Sequence, residues 1–220
     1  AAQHGRWCVG FVRYEAAPAF DAALRVHAAD GPLAWFAVYD ALQPWPDEIA
    51  EGGAHVPHQV QWQGGHDRAA FDAALARIQQ AIRAGELYQV NYTAPLTGTL
   101  QGCPAALFAA LQRAQPGGYA AHLDTGDEQV LSVSPELFFD WRDAPGGGEI
   151  LARPMKGTAP RGATPEEDAR QAEHLRTAPK ERAENVMIVD LLRNDLSRIA
   201  QPHSVRVPAL FATERLPTVW

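Results

Sequence analysis

Between residues 119 and 154 the sequence passes through four short apolar stretches, near 119–124, 128–134, 136–142 and 149–154, with turn residues between them and no helical spacing to interrupt the series. Parallel strands need a crossover of a dozen or more residues, whereas antiparallel strands join through short turns, so the series reads as hairpins. Ala144-Pro145-Gly146-Gly147-Gly148 supplies the turn between the last two stretches. Helical segments then follow in succession. Thr164-Pro165-Glu166-Glu167 is a capping box with proline at the first helical position, opening a helix to about Arg176, and a second helix is expected over 179–199. Strands in a run followed by helices in a run predict an α+β fold of antiparallel sheets flanked by helices, not a doubly wound parallel sheet.

Upstream, 7–14 and 33–39 are short, rich in aromatic and β-branched types, and read as strands. Pro44, Pro46, Gly52, Gly53, Pro57, Gly64 and Gly65 punctuate a connection over 43–65. This predicts two parts, 1–65 as the end of an N-terminal region and 66–220 as a second domain. Asp67 caps a helix whose Phe71, Leu75, Ile78 and Ile82 form one apolar stripe, and Gly85 stops it. The run 87–93 alternates, with Tyr88, Val90 and Tyr92 on one face and Gln89, Asn91 and Thr93 on the other, which reads as a strand. Helical spacing returns over 104–114 with Leu107, Phe108 and Leu111 in register.

Charge narrows the partners. Asp and Glu number 26 against 19 Lys and Arg, a net charge of −7, which argues against nucleic acid as the main partner. No run of 18 apolar residues is present, so no membrane-spanning helix is expected. Cys8 and Cys103 fit no metal or redox spacing, which points to a reducing compartment and a cytoplasmic protein. There is no glycine-rich dinucleotide or phosphate loop. The sequence lacks an initiator methionine and stops in mid-pattern at Trp220, so it is expected to be an excerpt of a longer chain. Only two of the 19 basic residues are lysine, Lys156 and Lys180, in a chain with 40 alanines. Where arginine serves for charge, a retained lysine hints that an amine is needed.

Three features could carry chemistry, each beside a plainer alternative. Lys156 follows a strand end within Arg153-Pro154-Met155-Lys156-Gly157-Thr158, and loops at strand ends are where sites are built; on spacing alone a solvated turn lysine is the favoured reading. Glu136 sits between two strands in Ser134-Pro135-Glu136, which also suits a surface turn glutamate. Glu181 and Glu184 share a helix face with Ile188, Leu191 and Asp195. That helix is apolar on several sides and is expected to be buried, so its carboxylates need a metal or salt bridges to Arg182 or Arg193. Together these suggest a Mg²⁺-assisted reaction using a lysine and a carboxylic acid.

Four runs, in order, make the pattern more specific. They are Ala84-Gly85-Glu86-Leu87-Tyr88-Gln89-Val90-Asn91, Ser134-Pro135-Glu136-Leu137-Phe138, Arg153-Pro154-Met155-Lys156-Gly157-Thr158, and the segment from Arg182-Ala183-Glu184-Asn185 to Arg193-Asn194-Asp195-Leu196. In these words the chain resembles the chorismate-utilising enzymes, and within them the synthase component of the aminodeoxychorismate synthases. Gly10-Phe11-Val12-Arg13-Tyr14-Glu15 is similar, more loosely, to a strand of the family's N-terminal region. Met155 replaces the more usual isoleucine, a volume-conserving change, and Ser197 stands where glycine is common.

The resemblance implies the family fold, a catalytic domain of which 66–220 is the front part, and a site completed by a C-terminal portion beyond Trp220. The bare 220 residues are therefore expected to be inactive. It also implies roles. Lys156 is the position that is lysine in aminodeoxychorismate synthases and alanine in typical anthranilate synthases. Gln89 stands where water-using relatives carry a general-base lysine, which implies ammonia as the final nucleophile. Glu136 would be the general acid, Lys156 the nucleophile, and Gln89, Gly157 and Thr158 would contact chorismate. Glu184, with Glu181, would hold Mg²⁺. Ammonia would come from a glutaminase partner, since no glutaminase motif is present. Arginine could not replace Lys156, because a guanidinium keeps its proton. The rival readings are another chorismate enzyme, such as anthranilate synthase, and a non-catalytic module that docks the glutaminase.

Overall fold

The computed structural model describes residues 5–44 and 59–220. The chain divides into two compact units, one of Ala1–Gln43 with Ala110–Trp220 and one of Pro44–Ala109. This partition differs from a break after residue 65. That position falls inside the second unit, and the N-terminal strands cluster with the C-terminal half. Most of the Pro/Gly-rich connection, 45–58, lies outside the described residues.

In the Pro44–Ala109 unit, β3 (Gln59–Gly64) pairs antiparallel with β4 (Leu96–Gln101), and α1 (Arg68–Arg83) lies between them in sequence. Asp67 caps α1 as its position predicts, its carboxylate accepting from the Ala70 N–H at 2.7 Å. The alternating run 87–93 forms no strand; its backbone has no ladder partner among the described residues, and the pairing falls instead on Leu96–Gln101. Alternation describes side chains, but a strand exists only where a second backbone supplies hydrogen bonds. The Tyr92 ring packs near His66 and Phe71, with centroids 5.8 and 6.0 Å away. The polar runs Gln59–Gly64 and Leu96–Gln101 gave no such pattern and were not expected as strands. Helix α2 (Pro104–Ala114) matches its prediction and holds the fully buried Phe108.

The other unit holds the three hairpins and the helix pair. β1 (Trp7–Val12) pairs with β2 (Ala34–Tyr39), β5 (Tyr119–Asp124) with β6 (Gln129–Ser134), and β7 (Leu137–Ala144) with β8 (Gly147–Arg153). All are antiparallel, as the short turns require for β5–β6 and β7–β8. Ala144 pairs with Gly147, leaving a two-residue turn in which Pro145 fixes its own φ and Gly146 takes φ +96°. Arg13, just past β1, forms a two-oxygen ion pair with Glu128 at the β5–β6 turn.

Helix α3 (Pro165–Thr177) opens on Thr164, whose hydroxyl accepts from the Glu167 N–H at 3.2 Å. Helix α4 (Pro179–Ser197) packs beside it. The expectation that α4 is buried is corrected: none of its residues is buried, and Val186 and Leu191 are exposed. Its half-buried face runs through Glu181, Glu184, Ile188, Leu192 and Leu196, leaving Leu191 and Asp195 in solvent. Apolar composition on several sides predicts burial only where neighbours exist to cover each side. The same holds for the hairpins, which leave Phe138, Trp141 and Phe36 exposed.

Ahead of α3, Arg161 and Asp168 form a two-point ion pair at 2.7 and 2.6 Å, and Asp168 also accepts from the Gly162 N–H and the Trp220 indole, each at 2.9 Å. The Arg161 guanidinium, through this hydrogen bond, holds the Asp168 carboxyl far below the usual carboxylate range, helped by the Gly162 and Trp220 donors. A depressed folded-state value means the unfolded chain takes up the proton first, so this contribution is present above about pH 4 and fades as pH falls. Thermal unfolding of Asp168→Asn should therefore lose part of the wild-type stability decline between about pH 5 and pH 3. Parallel declines in both proteins would remove Asp168 from the acid response.

Candidate active site

Register across β7 and β8 sets Leu137 opposite Arg153, so Glu136 and the 154–158 segment leave the same end of one hairpin. The Glu136 carboxylate accepts from the Met155 N–H at 2.9 Å, one residue before Lys156. Ser134 braces the turn, its hydroxyl donating to the Glu136 carbonyl at 3.1 Å and accepting from the Glu136 N–H at 3.2 Å. Glu136 is exposed, and Lys156 is half-buried. Among the described residues Lys156 makes no hydrogen bond or ion pair, so its amine is not committed elsewhere.

Gly157 has φ +78°, and a Cβ built there would stand 2.5 Å from Glu181 Oε2. The first turn of α4 thus lays a carboxylate against the residue that follows Lys156. Only glycine meets both conditions. Gly157→Ala is expected to destabilise the protein by about 1–3 kcal/mol through the backbone alone, and to push the Glu181 carboxylate away. A melt matching wild type would show that the loop accommodates the methyl group.

Glu184 lies one turn further along α4. Lys180 Nζ stands 3.4 Å from Glu181 Oε1 and 3.6 Å from Glu184 Oε1, and Glu184 first, then Glu181, raises the Lys180 pKa. The sequence left Lys180 without a role, although its spacing of one and four residues from the two glutamates was a usable signal. Arg193 pairs instead with Asp190 at 2.9 Å, and the Arg182 guanidinium sits 3.9 Å from the Phe211 ring centroid. Neither neutralises the glutamates. Asn185 Oδ1, next to Glu184, is buried with no hydrogen-bond partner among the described residues.

No group of three or more His, Cys, Asp and Glu side chains suited to a metal occurs among the described residues. A Mg²⁺ ion does not need one, since it keeps several waters and binds through one or two carboxylates together with the substrate. Two glutamates one turn apart, already gathering a cation between them, are donors that such an ion accepts. Gln89 belongs to the Pro44–Ala109 unit, where it is exposed on unpaired backbone; Thr158 is exposed on the same loop as Lys156. The structure thus brings together Glu136, Lys156, Gly157, Thr158 and Glu181 around one loop, with Glu184 beside Glu181.

Fold and sequence place the chain in a family. A model of chorismate binding enzymes matches residues 47–220, and the chain belongs to that family. It is 43% identical over 158 residues to aminodeoxychorismate synthase component 1 of Klebsiella aerogenes, covering 72% of this chain and 34% of the relative. The Salmonella typhimurium (strain LT2) protein of the same name is 39% identical over 193 residues, covering 88% and 40%. Anthranilate synthase component 1 of Streptomyces coelicolor is 38% identical over 159 residues, covering 72% and 30%. The chain thus spans about a third to two fifths of the length of these relatives. Among solved structures, anthranilate synthase component I from Streptococcus pneumoniae superposes with a TM-score of 0.72 at 22% identity, covering 98% of this chain and 56% of that one. The shared fold is that of chorismate-utilising enzymes, as the resemblance implied, and the antiparallel sheets and helices agree with the α+β class. No helix among the described residues is long and apolar enough to cross a membrane.

Proposed function

We propose that the chain forms the nucleophile-bearing part of an enzyme that replaces the C4 hydroxyl of chorismate with ammonia, giving 4-amino-4-deoxychorismate. The observation that carries this reading is the hydrogen bond from the Met155 N–H to the Glu136 carboxylate, which ties a carboxylic acid to the loop of an uncommitted lysine. Hydroxide is a poor leaving group, so Glu136 donates a proton to the C4 oxygen as it departs as water. Lys156, in its neutral form, attacks C2; the ring double bonds shift as C4–O breaks, leaving a covalent adduct. Ammonia then attacks C4, the double bonds shift back, and the Lys156 amine leaves C2. Each cycle consumes chorismate and ammonia and releases product and water.

Glu184 and Glu181 would hold Mg²⁺, which would screen the carboxylate charge of the substrate. For that role Lys180 must swing away from the pair. Thr158 and the Gly157 backbone face the substrate from the Lys156 loop, and the family resemblance adds Gln89 as a substrate contact. A glutaminase partner supplies ammonia, in keeping with the name "component 1" carried by the relatives. The free thiols of Cys8 and Cys103 support a reducing, cytoplasmic setting.

Anthranilate formation is the second reading, favoured by relatives of that name at 38% identity. Lys156 speaks against it, because the resemblance puts alanine there in typical anthranilate synthases. The deciding experiment supplies the full protein with chorismate, ammonium and Mg²⁺ and identifies the product by mass spectrometry. Aminodeoxychorismate supports the proposal. Anthranilate, or no turnover under any ammonia supply, overturns it, the latter in favour of a docking module.

A further inference from the structure

Lys156 has no side-chain partner among the described residues, so whatever aims it must act on its backbone. We infer that the segment 214–220 is a strap that positions Lys156 by gripping both flanks of its loop, with Asp168 as the anchor. Three residues before Lys156, the Arg153 guanidinium donates to Glu214 at 3.0 Å. Three residues after it, Ala159 exchanges both backbone hydrogen bonds with Trp220, at 3.1 and 2.8 Å, and Pro160 faces Val219 across an antiparallel bridge. Arg161 then donates to the Leu216 carbonyl at 3.0 Å. The strap is closed on itself by the Leu216 N–H donating to the Val219 carbonyl at 2.9 Å.

The grips are unequal. Arg153 and Glu214 are about half exposed, so solvent screens their pair and it contributes little. Arg161 and Asp168 side chains are only 20% and 14% exposed, and charge-assisted, two-point pairs of this kind are the strong ones. Asp168 receives hydrogen bonds from Arg161 twice, from the Gly162 N–H and from the Trp220 indole. The Arg161 guanidinium also lies over the Trp220 ring, 5.4 Å from its centroid. One carboxylate therefore joins the loop's exit, the start of α3 and the end of the strap. Asp168 is a positioning residue: it touches no reacting atom and acts through the backbone of 159–161.

The catalytic half of this inference rests on Lys156 as the nucleophile; the strap geometry does not. The test compares wild type, Asp168→Ala and the milder Trp220→Phe in the full protein. It uses hydrogen exchange of the 154–160 segment, amine labelling and steady-state kinetics of chorismate amination. Lys156 and Lys180 are the sequence's two lysines, so the ratio of their labelling by an acetylating reagent is internally controlled. Asp168→Ala should speed exchange at 154–160 about tenfold, change the Lys156 to Lys180 labelling ratio at least twofold, and lower kcat about tenfold with KM within twofold. Trp220→Phe, which keeps a smaller aromatic ring and loses the indole hydrogen bond, should show the same pattern at two- to threefold. Unchanged exchange, or faster exchange with unchanged labelling and kcat, overturns the strap. A wild type without amination refutes the proposed reaction instead, and exchange and labelling then decide the strap alone.

Discussion

Lys156→Ala should leave a folded protein that neither forms a covalent adduct with chorismate nor aminates it, with kcat reduced on the order of 10³-fold or more. Removal of a half-buried loop side chain without hydrogen bonds or ion pairs has no structural reason to unfold the protein, so circular dichroism should match wild type. Lys156→Arg sharpens the result. It keeps the positive charge but cannot present a neutral nitrogen, so a charge-only role would be rescued and a nucleophile would not. Glu136→Gln keeps an oxygen that accepts from the Met155 N–H and removes the transferable proton; its loss should be roughly 10²–10⁴-fold, the usual range for a general acid. The measurements are intact-protein mass after rapid acid quench and steady-state amination. Wild-type kinetics in Lys156→Ala would return this residue to a solvated turn and end the proposed mechanism.

Much of this arrangement could be read from the residues, and what could not has identifiable causes. The β7–β8 hairpin was legible because Pro145 and Gly146 dictate a tight turn, and a tight turn fixes register. Antiparallel pairing from that turn sends Glu136 and Lys156 out of the same end, across a register shift between Leu137 and Asp140 that the turn does not dictate. Helix starts at Asp67 and Thr164 were legible because capping is a local hydrogen bond. The β3–β4 pair was not. Its partners are separated by α1 and carry Gln and Thr where a strand usually shows an apolar face, while the better-patterned 87–93 found no second backbone among the described residues. The burial of α4 was overestimated because composition reports what a surface could bury, not which neighbours reach it. The Arg161–Asp168–Trp220 cluster was invisible for a different reason. Trp220 lies 52 residues beyond Asp168, and only the folded chain brings its indole to that carboxylate.

Glu184→Gln should weaken Mg²⁺ binding by about tenfold or more, because affinity at an oxygen site follows the count of charged ligands and this change leaves one carboxylate of two. The structure adds a second arm with the opposite sign. Lys180 lies within 3.6 Å of both glutamates, so an arriving cation must displace an ammonium that is already there. Lys180→Ala removes this competitor and one repulsive charge, and should tighten binding a few-fold at low salt. Because Lys180 is mostly exposed, the gain should shrink as ionic strength rises toward 0.5 M, whereas the loss in Glu184→Gln should persist. Titration with Mn²⁺ followed by its electron paramagnetic resonance signal, with Mg²⁺ as competitor, reads both changes without reference to turnover. Competition between Lys180 and a metal held by Glu181 and Glu184 requires the two variants to move apart. If Glu184→Gln titrates as wild type does, the glutamates hold only Lys180 and the ion binds elsewhere. If both variants weaken binding together, Lys180 orients the carboxylates for the metal instead of competing with it.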